Sequence, residues 1–92
     1  MDYITKWQNR LRLQDYKILT SKISNEQVVY PSDCEKEFVG VCIVGDEATI
    51  YHTRDLTEED IIHELLHVKY PGVDHDWINS ETERLNGEDG II

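Results

Sequence analysis

The sequence predicts an α+β domain built from an N-terminal helix, a small three-stranded antiparallel sheet and two C-terminal helices. Three observations carry that expectation. Apolar residues recur at helical spacing near both ends of the chain. Three runs rich in β-formers fill its middle, at 16–23, 38–44 and 48–53. The chain has 92 residues, the length of one core, so residues 1–92 read as a single domain.

The first helix is expected within 1–14, where Tyr3, Ile4, Trp7 and Leu11 share one face. Tyr16 to Ile23 reads as a strand, and a polar connection with Pro31 and Asp33 follows it. Within that connection, Val28-Val29-Tyr30 is apolar enough to pair briefly. Phe38 to Val44 is almost continuously apolar, which suits a central strand covered on both faces. Gly45-Asp46-Glu47 reads as a turn, and Ala48 to Thr53 as the returning strand, so the sheet spans 16–53.

Thr57 then offers an N-cap, and the acids behind it suit the positive end of a helix over 57–70. Pro71 ends that helix and Gly72 lets the chain reverse. A last helix is expected over 76–86, with Trp77, Ile78 and Leu85 as its apolar stripe and 87–92 as a tail.

Charge and composition narrow the function. Nineteen acids face nine bases, for a net charge of -10, which disfavours phosphate backbones and so argues against nucleic-acid partners. No apolar run is long enough to span a bilayer, and the first residues lack the pattern of a secretory signal. The expectation is a cytoplasmic monomer with no membrane partner. Cys34 and Cys42 form no CxxC pair; Cys42, inside an apolar run, reads as a buried thiol.

The second helix carries the chemistry. His63-Glu64-Leu65-Leu66-His67 is an HExxH. Residues four apart lie one above the other on a helix, so two imidazoles can converge on one ion. Glu64 sits about 100° round the helix, where its carboxylate can reach a water on the flank of that ion and act as the general base. A catalytic zinc site needs a third protein ligand and an open position. Glu81 is the expected third ligand, because it falls three after Ile78 and four before Leu85, on the face read as buried. His75 is the alternative, since Gly72 and His75 keep the internal gap of the long zinc motif but sit two residues further from His67. Glu83 points away with Asn79 and Asn86 in this reading.

An HExxH followed by a glutamate on a later helix resembles the gluzincin clan of zinc peptidases. With one helix, three strands and two helices in a chain of this size, the whole architecture resembles the minigluzincins, single-domain HExxH peptidases. The resemblance implies a zincin-like fold and hydrolysis of peptide bonds in a peptide or protein substrate. It also implies one Zn2+ held by His63, His67 and Glu81, with Glu64 as base. It suggests latency, with the acidic tail that ends in Ile91-Ile92 lying across the cleft. The chain departs from larger gluzincins at Leu85, where an acid or amide often stands four residues after the ligand. Tyr70, His75 and His52 are candidates to stabilise an oxyanion. The strand 48–53 is expected to pair with extended substrate, flanked by Tyr51 and His52. The alternative function is a non-catalytic zinc-binding module with a closed site of His63, His67, Glu81 and His75.

Overall fold

The computed structural model describes residues 3–24, 26 and 38–89. Its elements follow the expected order: α1 (Tyr3–Arg10), β1 (Lys17–Lys22), β2 (Val39–Val44), β3 (Glu47–His52), α2 (Glu58–Lys69) and α3 (His75–Asp89). Val28-Val29-Tyr30, Cys34 and residues 90–92 lie outside the described residues. Among the described residues, no helix is long and apolar enough to cross a membrane.

The sheet corrects the expectation of an antiparallel one. Its strand order is β1-β3-β2, with β1 parallel and β2 antiparallel to β3. A parallel pair needs a long crossover, and the chain from Ile23 to Phe38 and on through β2 supplies it before β3 returns. The central strand is therefore β3, where Ala48 and Ile50 are fully buried. The apolar run 38–44 is an edge strand instead, with Val44 73% exposed. Cys42 is an exposed free thiol, not a core residue, because it alternates with Val41 onto the other sheet face and partners Thr49. The β2–β3 hairpin closes through Gly45-Asp46, where Gly45 takes φ +61°, a conformation that a side chain at the first turn position would strain.

Helix α2 is the structural centre. Thr57 and Asp60 form a reciprocal capping box: the Thr57 hydroxyl accepts from the Asp60 N–H and the Asp60 carboxylate accepts from the Thr57 N–H. Ile61, Ile62, Leu65, Leu66 and Val68 are buried along one side and meet Trp7, Leu11, Leu13, Ala48 and Ile78. At about 1.5–3 kcal/mol per buried aliphatic side chain, this stripe dominates the anchoring of the helix. Both ends are also clamped to α1 and the turn after it. Lys6 Nζ and Trp7 Nε1 donate to one Glu58 oxygen at 2.7 and 2.8 Å, and Lys69 Nζ donates to the Leu11 carbonyl at 2.7 Å.

Helix α3 starts one residue earlier than expected and continues through Gly87 to Asp89, so the tail read as 87–92 is in part helix. Its inward positions are Ile78, Thr82 and Leu85, at i, i+4 and i+7. Thr82 is 2% exposed and donates its hydroxyl to the Ile78 carbonyl at 2.7 Å, which lets a polar residue occupy the core stripe. Trp77, expected on that stripe, is 41% exposed and packs edge-on against Tyr70.

Two stability measurements follow. Leu65→Ala is expected to lower the unfolding free energy by about 2–5 kcal/mol, read by urea denaturation. The Arg54 guanidinium beside Asp60 holds that carboxyl down at about 2, against an ordinary value of 3.8. A depressed carboxylate stabilises the fold above its unfolded pKa, and the gain disappears as pH falls through the folded one. Wild type should therefore exceed Asp60→Asn in stability by on the order of 1–2 kcal/mol near pH 6, the gap closing between about pH 4 and 2.

Candidate metal centre

The site is built on the border of α2 where the apolar stripe ends. Asp60, His63, Glu64 and His67 occupy the adjoining side of the helix, one or two turns from one another. The stagger that buries Leu65 and Leu66 therefore turns both imidazoles toward the gap between α2, β2 and the start of α3.

That gap also receives His75, the first residue of α3. The Asp74 side chain accepts from the Asp76 N–H at 2.7 Å and the Asp74 carbonyl accepts from the Ile78 N–H at 3.1 Å, which sets the helix start directly at His75. The ring centroids of the three histidines stand 4.8 Å (His63–His67), 4.9 Å (His63–His75) and 5.2 Å (His67–His75) apart. One donor atom from each can be chosen so that no pair is more than 4.8 Å apart. Ligands at about 2.0–2.1 Å from a tetrahedral ion stand roughly 3.4 Å from each other. His63 and His67 already meet that spacing, with their Nε2 atoms 3.2 Å apart, and His75 is the exposed member of the set. The set fits a borderline cation such as zinc, which takes imidazole nitrogen readily.

The electrostatics agree with neutral imidazoles. Burial lowers the pKa of His63, helped by the neighbouring His67 and His75 and opposed by Asp60. Burial and His75 likewise lower that of His67. Glu64 is 6% exposed, makes no hydrogen bond among the described residues, and is pushed up to about 7 by burial and then by the Asp60 carboxylate.

Glu81, the expected third ligand, is not a member of the cluster. Its carboxylate accepts two bonds from Arg84, at 2.9 and 2.8 Å, and this pairing lowers its pKa. The reason is the phase of α3. With Ile78, Thr82 and Leu85 facing inward, Glu81 and His75 fall on opposite flanks of the stripe, about 120° apart around the helix. His75, the alternative ligand in the sequence reading, is on the flank that faces α2.

Two cavities of about 390 Å³ each flank α2 and share Val39, His63 and Glu64. One contains the histidine cluster and is walled by β2 residues Gly40, Val41 and Ile43 and by Pro71. The other extends over Glu59 and Asp60 of α2 to Asn79, Thr82 and Glu83 of α3. Asn79 and Glu83, read from the sequence as pointing away, thus line the cleft.

Tyr70, His52 and Tyr51 line neither cavity. Tyr70 stacks edge-on with Trp77, and the His52 Nδ1 lies 2.7 Å from the Arg54 carbonyl. The strand expected to take substrate, 48–53, is β3, which is paired on both sides and has no free edge. The strand beside the histidines is β2, whose other edge bonds to no strand among the described residues.

No family model, no curated protein and no solved structure matches this chain.

The geometry yields a metal-binding test. Zn2+ titrated calorimetrically into metal-free protein is expected to bind one ion per chain. His75→Ala should weaken that binding by about tenfold or more, whereas Glu81→Gln should leave it unchanged.

Proposed function

We propose that this chain is a small zinc-dependent endopeptidase in which His63, His67 and His75 hold the metal and Glu64 is the general base. One observation carries the reading: three imidazoles offer donor atoms within 4.8 Å of one another beside Glu64, a 6% exposed residue whose carboxylate makes no hydrogen bond among the described residues, and both open onto one cleft. Isolated buried carboxyls are costly, and an unpaired one next to a ligand-like cluster is the arrangement expected of a functional group.

When bound, the ion supplies polarisation of a peptide carbonyl and acidification of a coordinated water. The protein's own part is positional. Burial, with repulsion from the neighbouring rings, favours neutral His63 and His67, the state in which imidazoles ligate. Glu64 takes a proton from the attacking water and returns it to the leaving amine, and its raised pKa near neutrality suits both transfers. Val39, Val41 and Ile43 wall the cleft and exclude water from one side. The unpaired edge of β2 offers backbone groups to an extended peptide.

The resemblance to minigluzincins is carried by the HExxH and by the order of elements. A histidine in place of the glutamate ligand departs from the gluzincin pattern while leaving the hydrolytic chemistry intact. A closed, non-catalytic His/His/Glu/His site would require Glu81 to leave Arg84 and cross to the other flank of α3. Of the tail 87–92 expected to confer latency, residues 87–89 belong to α3 and 90–92 lie outside the described residues.

Glu64→Gln is the decisive variant. It should retain one zinc per chain and lose about 10²- to 10⁴-fold in the rate of peptide cleavage, measured with internally quenched peptides. Retained activity would end the peptidase reading.

A further inference from the structure

The second cavity begins at the ligand His63 and the base Glu64 and extends well beyond them. It shares Val39, His63 and Glu64 with the histidine cavity and then continues between α2 and α3. Its described lining contains no lysine or arginine. Of its acidic groups, Asp60 is committed to Arg54 through a two-point pair, with one bond at 2.9 Å. Glu59 and Glu83 are exposed at the rim and make no ion pair among the described residues. Glu64 also lines the cavity, 6% exposed and without a hydrogen-bond partner among the described residues.

This is a cavity of about 390 Å³ with one apolar side chain, Val39, in a lining that is otherwise polar and largely acidic. Val39 gives an aliphatic stem something to pack on. Glu59 and Glu83 offer acceptors to a cation, and the Asn79 amide adds a further acceptor. A long basic side chain combines those two properties, since it buries its methylenes and leaves its charge at the rim.

We propose that this cavity is a specificity pocket for a lysine or arginine side chain of an extended peptide lying along the cleft, next to the bond over the histidine cluster. The inference rests on the peptidase reading and deepens it by naming the substrate class. A free amino terminus carries the same charge on a much shorter stem; it reaches the rim without filling the cavity, so the side chain is the better occupant.

The test uses the zinc-loaded full chain and a series of N-acetylated, internally quenched peptides that differ at one position. Lysine and arginine peptides should be cleaved with kcat/KM about tenfold or more above the norleucine peptide, and the glutamate peptide should be slowest. The double variant Glu59→Gln/Glu83→Gln should collapse the lysine-to-norleucine ratio towards one. Both positions are exposed, and circular dichroism checks that the variant is folded. Equal rates for lysine and norleucine, or a ratio that survives the double variant, overturns the proposal. Cleavage confined to peptides with a free amino terminus overturns it as well, in favour of terminal recognition.

Absence of any cleavage defeats the peptidase reading, and the pocket is then judged by binding alone. Nα-acetyl-lysine methylamide should shift the amide resonances of Glu59, Asn79 and Glu83, while the norleucine analogue should not. Identical behaviour of the two probes sinks the pocket.

Discussion

The site depends on a single line along α2, where a stripe of full burial adjoins a stripe of ionisable side chains. Ile61, Leu65 and Val68 lie on one side of that line; Asp60, Glu64 and His67 lie on the other. Glu64 is closest to the border, which is why it is the most desolvated acid described. Such a carboxyl is unfavourable wherever it stays charged and unpartnered. The helix tolerates it because its apolar face is fully engaged and both of its ends are clamped. Glu58 takes two donors at the start and Lys69 donates at the end. A helix held so firmly can present strained electrostatics without rotating them into water.

The same constraint organises what arrives from α3. A ligand on a loose loop would lose much of its affinity to ordering, whereas a ligand in the first turn of a capped helix is already placed. Asp74 sets that first turn, and His75 follows it. A helix N-terminus is positive, which by itself disfavours a cation close by. Asp74 and Asp76 flank His75 in sequence and offset that field, so the imidazole can serve where the bare helix end would not.

Much of this was legible from residue spacing. The HExxH, the Thr57 cap, the stop at Pro71 and the order of elements all follow from local chemistry, and each stands in the structure at or within a residue or two of its expected place. The third member of the cluster, His75, followed only as the alternative to Glu81. Thr82 hides the stripe of α3, because a polar residue at i+4 from Ile78 breaks the apolar signal and lets Trp77 substitute for it. With Ile78, Thr82 and Leu85 inward, Glu81 and His75 stand on opposite flanks of α3, and His75 is the one beside the α2 histidines. Strand order was illegible for a different reason. Three β-rich runs fix which residues pair locally, but the choice of central strand depends on a long connection whose route no local pattern encodes.

The misplaced centre of the sheet bears directly on function. An apolar run normally earns burial on both faces, yet β2 leaves Ile43 and Val44 well exposed at an edge. Exposed apolar edges invite pairing with other chains, and proteins usually blunt them with charge or proline. Here the described strand, Val39 to Val44, contains neither. Its helix-facing residues Val39, Val41 and Ile43 instead wall the cavity that contains the histidines. With β3 saturated on both sides, any extended ligand that joins this sheet beside the histidine cluster must do so along β2. A chain laid there passes the histidine cavity and reaches Val39, the residue at which the acidic cavity opens. Among the described residues, the edge that looks like a folding liability is therefore the strand position from which a single extended peptide can address both halves of the cleft.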